Sequence, residues 1–135
     1  MEGLTITELE ASRDARGWNT HPFDESALRA GTFANIHIVS MEPGTIRGNH
    51  KHIKQTEQVL IVGGPVLFVA EDAETGERFE RVFRPGEQLR ITLAPGVAHA
   101  FKNVGAGVAY LLCASDVAFD PENPDTVRFE VAASS

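Results

Sequence analysis

Histidine and glutamate supply the side chains of this sequence best suited to chemistry. His50 and His52 stand two apart, Glu57 follows His52 by five residues, and His99 lies far downstream. On a strand, side chains alternate faces, so the two imidazoles at 50 and 52 point the same way with Cα atoms roughly 6.6 Å apart. Rings at that separation can converge on one cation through metal–nitrogen bonds of about 2.0–2.1 Å. Glu57 has the wrong parity for an unbroken strand. The polar stretch Lys54-Gln55-Thr56 can turn, letting Glu57 open the next strand and face inward. His99 follows the Pro95-Gly96 turn and reaches the others only if the sheet closes on itself.

Three neutral imidazoles and one carboxylate make a borderline-hard donor set. Zinc is the first expectation for a metal ligated by His50, His52, Glu57 and His99; iron, manganese or nickel accept the same donors. Four protein ligands leave a position open for water or substrate. A lone His-x-His pair also occurs as an ordinary surface or hydrogen-bonded pair, so its frame must carry the argument. His37 shares a strand face with Phe33, Asn35 and Val39. It is either a pocket-lining residue or a satisfied edge histidine. His21 precedes Pro22 in a polar stretch and reads as a loop residue.

The elements that must position these residues are short. Glycine and proline cut the chain at Gly31, Pro43-Gly44, Gly63-Gly64, Gly76, Pro85-Gly86, Pro95-Gly96 and Gly105. Between them lie apolar runs at 33–41, 58–62, 66–70, 78–83, 88–93, 97–102 and 108–114. Many short strands separated by frequent turn signals indicate a sandwich or barrel. Residues 71–77 read as a hairpin tip around Thr75-Gly76. The one helix candidate is 24–30, with Asp24 as its N-cap and Gly31 at its C-terminal end. Residues 1–3 and 132–135 are expected to fray.

Composition narrows the function. The 135 residues suit one domain, comprising an N-terminal strand arm over about 1–42, a barrel core over about 43–118 and a C-terminal tail over about 119–135. A net charge of −7 argues against nucleic acid or an anionic membrane surface as partner. Neither a signal peptide nor a run of apolar residues long enough for a membrane span is found, so a cytoplasmic location is expected. The single cysteine, Cys113, lies in an apolar run and reads as a buried, inert thiol. Trp18 is a candidate dimer contact or pocket wall.

The frame around the histidines resembles the cupin superfamily. Gly44, His50-x-His52, Glu57 and Gly64 match the first cupin motif, and Gly96-x-x-His99-x-x-x-Asn103 resembles the second. Gly86 precedes Gly96 by ten residues instead of the family's eight, and proline stands at 95 instead of 94. The resemblance implies an all-β, double-stranded β-helix, the cupin jelly-roll barrel, with little helix.

Further segments resemble sugar-modifying cupins. Arg47-Gly48-Asn49-His50 is similar to the R-G-x-H of dTDP-4-dehydrorhamnose 3,5-epimerases, where that histidine is the base. Asp14-Ala15-Arg16-Gly17 is similar to their D-x-R-G, whose arginine helps hold the nucleotide diphosphate. The dTDP-sugar 3,4-ketoisomerases carry R-G-x-H-x-H, with acid/base histidines corresponding to His50 and His52. Residues 119–126, the Gly48–His52 segment and Lys54-x-x-Glu57 resemble the metal-carrying C-terminal cupin domain of capsular polysaccharide biosynthesis proteins. The rhamnose epimerases lack a metal and use an acid tyrosine after the last barrel strand. This chain has one tyrosine, Tyr110, which comes too early, so a copy of that mechanism is not expected.

These resemblances imply an isomerase or epimerase acting on a nucleotide-linked keto sugar in polysaccharide or deoxysugar biosynthesis, as a homodimer. His50, His52 and His37 are the candidate acid/base residues; a metal-bound histidine is not a free base, which shifts that role toward His37. Arg16, Arg47 and Asn35 are the candidate substrate-binding residues. By parity Arg47 points away from His50 unless Gly48 permits a bulge. Two other readings use the same donors: a metal-dependent oxygenase or cyclase on a small organic substrate, and a non-catalytic small-molecule binder.

Overall fold

A computed structural model describes residues 1–132. In chain order it contains β1 (Leu4–Glu8), β2 (Ala11–Asp14), β3 (Gly17–Thr20), α1 (Glu25–Arg29), β4 (Asn35–Met41), β5 (Ile46–His52) and β6 (Glu57–Val62). Next come β7 (Val66–Asp72), β8 (Arg78–Phe83), β9 (Leu89–Leu93), β10 (Val97–Asn103), β11 (Ala109–Ser115) and β12 (Thr126–Arg128). Two five-stranded antiparallel sheets, ordered β1-β9-β6-β11-β4 and β12-β5-β10-β7-β8, form the expected all-β jelly roll. β2 and β3 make a separate hairpin.

Alternation builds the core between the sheets. In β9, Ile91 and Leu93 are buried while Arg90 and Thr92 are only partly so. Phe68 packs on Phe79, Phe83 and Phe101 with ring centroids 5.2–6.2 Å apart. β10 is buried along nearly its whole length. Its other face, Ala98 and Ala100, joins Val69 and Val131 in a second apolar cluster, with Phe129 and Ala132 packed against it. The C-terminal segment thus covers the outside of that sheet. The helix forms as capped: the Asp24 carboxylate accepts from the backbone N–H groups of Ser26 and Ala27, and Gly31 follows with φ +69°.

Two expectations about the ends need correction. Met1 packs against the core, and Gly3 C=O accepts a 2.8 Å hydrogen bond from Ala94 N–H, so the N-terminus is tied down by β1 pairing with β9. Ala132 is held at the C-terminal end, and residues 133–135 lie outside the described residues. The expected tail also contributes β12, which pairs with β5.

One irregularity governs the rest. β5 and β10 pair His50 with His99 and Gly48 with Ala100, leaving Asn49 as the extra residue of a bulge. Gly48 has φ +96° and Asn49 φ +55°. A Cβ on Gly48 would lie 2.7 Å from the carbonyl oxygen of His99. The Asn49 amide oxygen accepts from Val131 and Ala132 N–H at 2.9 and 3.0 Å, and its amide donates to Ala132 C=O at 3.0 Å. The bulge therefore resets side-chain parity and pins the C-terminal segment at once.

Gly48→Ala is expected to destabilise the fold by about 2–3 kcal/mol, since both the positive φ and the backbone clash must be relieved. Urea unfolding checks this; an unchanged midpoint would show that the bulge tolerates a side chain.

Candidate functional site

The bulge register places the imidazoles of His50, His52 and His99 together at one end of the barrel. Ring centroids are 4.8 Å apart for His50–His52, 4.8 Å for His50–His99 and 5.4 Å for His52–His99. One nitrogen from each ring lies within 4.8 Å of the others. The chain does bend after His52, and Glu57 opens β6 as expected. Its carboxylate oxygens stand 3.8 Å from His52 Nε2 and 4.0 Å from His99 Nε2, both longer than a hydrogen bond. The fold thus brings the three histidines of the expected set together and sets Glu57 beside His52 and His99.

Burial sets the charge states. His99 is 1% exposed, and burial, reinforced by His50, lowers its pKa to about 3. Burial, then His52 and Arg128, lowers His50 to about 4. Burial also lowers His52, with Asp125 opposing it. All three rings are neutral at pH 7. Burial raises the Glu57 carboxyl to about 7. Nδ1 of His99 donates to Val97 C=O at 3.1 Å, which leaves the Nε2 lone pair directed at Glu57 and its neighbours. His52 Nε2 is buried and has no hydrogen-bond partner among the described residues. A buried polar nitrogen without a partner is costly, and a cation would satisfy it.

The donor set fits a divalent cation. Neutral imidazoles, one of them with its tautomer fixed by Val97, an orphaned ring nitrogen and a buried carboxylate suit zinc or a similar ion. His50, His52, Glu57 and His99 would hold it.

These residues lie in a cavity of about 870 Å³. Val39, Phe101 and Leu111 give it apolar wall, and Asn35, His37 and Arg47 line it with polar groups. Arg47 reaches the cavity because of the bulge, and its guanidinium donates to Ser40 C=O at 3.1 and 3.2 Å. His37 is exposed, and its Nδ1 is 3.1 Å from the Asn35 side-chain oxygen. That contact assigns the proton to Nδ1 and leaves Nε2 as an available base.

Other expectations change. Arg16 is not among the cavity residues; it lies exposed at the β2–β3 turn, paired with Asp14 at 2.5 Å. The turn that made its motif resemble an anion-binding arm holds it against its own aspartate. Trp18 is opposite Arg13 in the same hairpin and does not line the cavity. Tyr110 is half exposed on β11 and lies outside the cavity too. Cys113 is buried, as expected, and burial, with Glu57 adding to it, raises its thiol pKa.

Several contributors were missed. The Asp125 carboxylate accepts from Lys54 and Gln55 N–H at 2.9–3.0 Å, and Asp116 accepts from Thr56 N–H at 2.8 Å. Together they hold the turn that delivers Glu57. Burial would raise the Asp125 pKa, but the Lys54 and Gln55 N–H groups outweigh it and lower it. Phe119, Asp120 and Asn123 from the same C-terminal segment line the cavity. The dense Asp, Asn and Pro of residues 119–126 mark a shaped loop, but only the fold shows what it caps.

Glu57 should make the metal-free protein's stability fall as pH rises. Its folded pKa of about 7 lies above the ordinary 4.5, so its stabilisation is full below the lower value and lost as pH climbs through the upper. At about 1.4 kcal/mol per pKa unit the ceiling is about 3 kcal/mol. Metal-free Glu57→Gln should therefore gain on wild type between pH 5 and 8, measured by urea unfolding. Parallel pH curves for the two proteins would contradict this.

Comparison with known proteins places the chain. Residues 12–127 match the family described as the polysaccharide biosynthesis C-terminal domain. A UDP-2-acetamido-2,6-beta-L-arabino-hexul-4-ose reductase of Pseudomonas aeruginosa is 31% identical over 105 residues, which is 77% of this chain and 28% of that protein. This chain thus spans under a third of that relative's length. Among solved structures, a dTDP sugar isomerase from Desulfovibrio desulfuricans superposes with a TM-score of 0.80 at 18% identity, covering 94% of this chain and 83% of the other. NovW, a 4-keto-6-deoxy sugar epimerase from Streptomyces spheroides, gives 0.75 at 22% identity over 90% and 67%. The capsular polysaccharide assembling protein CapF of Staphylococcus aureus gives 0.69 at 23% identity over 91% and 33%. These structures share the fold, and by the extent of its family match the chain belongs to the polysaccharide biosynthesis C-terminal domain family.

Proposed function

We propose that this chain is a metal-binding isomerase or epimerase that moves a proton alpha to the ketone of a nucleotide-linked keto sugar. The observation that carries the reading is the convergence of three neutral imidazoles and the Glu57 carboxylate in a cavity large enough for a sugar. The names of the relative and of the structural neighbours, all concerned with sugar nucleotides, keto sugars or capsular polysaccharide, support the substrate class.

His50, His52, Glu57 and His99 would hold zinc or a similar ion. When bound, such an ion supplies Lewis-acid stabilisation for charge developing on a ketone oxygen. The chain's own residues do the rest. His37, outside the ligand set and exposed in the cavity, takes the alpha proton on Nε2 and returns it. Asn35 fixes the tautomer that allows this. Arg47 offers its guanidinium to an anionic or ketone oxygen. Val39, Phe101 and Leu111 exclude water from one side of the sugar. Arg16 would serve a diphosphate only from a second chain, which accords with a homodimer.

Metal analysis of the purified protein beside His50→Ala, followed by deuterium exchange in a nucleoside-diphosphate-linked 4-keto-6-deoxyhexose, tests the reading. About one metal per chain is expected, lost in His50→Ala together with at least 100-fold of the exchange rate. His37→Ala should keep that metal yet lose at least tenfold in exchange. A metal-loaded wild type that leaves the sugar protons unexchanged would refute the assignment.

A further inference from the structure

A second cluster of donor atoms lies beside the first. One donor atom each from His37, Glu57 and Cys113 lies within 4.8 Å of the others. The sheet register explains this. β11 runs between β4 and β6, Cys113 pairs with His37 across one edge, and Ser115 pairs with Glu57 across the other. Residues 113 and 115 share a face, so Glu57 lies diagonal to Cys113 on the inner side. All three residues line the cavity. Glu57 is 7% exposed, and its distances to His52 and His99 leave its oxygens without a hydrogen bond to either ring.

The chemistry of this cluster differs from that of the three histidines. It adds a sulfur donor, and thiolates select soft and borderline cations. We propose that His37, Glu57 and Cys113 form a second metal site beside the three histidines, sharing Glu57 with them and selective for thiophilic cations such as cadmium. On binding, the Cys113 Sγ–H bond breaks, its proton leaves to solvent, and the sulfur–metal bond takes its place. Glu57 lies between the two sets, and carboxylates bridge paired cations in two-metal sites about 3.5–4 Å apart. A cation here would occupy His37 and remove it as a base, so the second site would oppose turnover. The proposal does not depend on what the enzyme acts on.

Cadmium titration of the full metal-free chain tests it, followed by stoichiometry and by the ultraviolet thiolate-to-cadmium charge-transfer band. Two equivalents per chain are expected, one of them producing the band. Cys113→Ser should lose the band and one equivalent; Cys113→Ala serves as well if serine disturbs the core. His37→Ala should weaken the band-forming site at least tenfold, and His50→Ala should leave the band intact. A single equivalent that forms the band and ignores His50→Ala would support this site while removing the metal from the catalytic reading. A folded wild type that forms no band, or a band abolished by His50→Ala, would overturn the proposal.

Discussion

The pairing of β5 with β10 through the bulge at Gly48 and Asn49 is the constraint on which this molecule depends. It places His50 across from His99, keeps His52 on the same face, and turns Arg47 into the cavity. The same residue that makes the bulge, Asn49, spends its side-chain hydrogen bonds on the C-terminal segment. That segment supplies β12 and Asp125, and Asp125 holds the turn that delivers Glu57. A local backbone irregularity thereby fixes three of the four converging donors directly and the fourth through a chain of contacts.

The electrostatics follow from that geometry. Placing three imidazoles and a carboxylate together away from water disfavours charge on every one of them. The imidazoles stay neutral, which leaves lone pairs free, and the carboxyl is drawn toward its protonated form. Neither outcome stabilises the metal-free protein well: one ring nitrogen is left without a partner, and the carboxylate lacks a hydrogen bond to the rings beside it. In the proposed reading a cation would answer both deficits.

Much of the architecture was legible in the sequence because the core strands alternate or run apolar between glycine and proline turns. β8 matches its expected bounds, and β6, β9, β10 and β11 differ from theirs by single residues. β2, β3 and β12 escaped, and β1 was expected only as a strand within the arm over about 1–42. β2, β3 and β12 are polar or exposed and three or four residues long, and they form because a neighbouring strand offers an edge. The candidate donors at 50, 52, 57 and 99 were legible because their types and spacing are unusual. Asp116 and Asp125 were not, because a carboxylate that caps a turn 60 or 70 residues away leaves no periodic trace. Arg16, outside this chain's cavity, shows a related limit: a short motif does not reveal which surface its side chain reaches. Cys113 was read correctly as buried, but its nearness to His37 and Glu57 depends on strand order, which a linear pattern does not encode.

In the proposed reading, imidazoles from β5 and β10 and the carboxylate of β6 grip one ion. X-ray absorption at the zinc edge, on protein carrying one equivalent of zinc, tests this most directly. A nitrogen and oxygen shell at about 2.0–2.1 Å with outer-shell scattering from three imidazole rings is expected. A spectrum without imidazole scattering would contradict it.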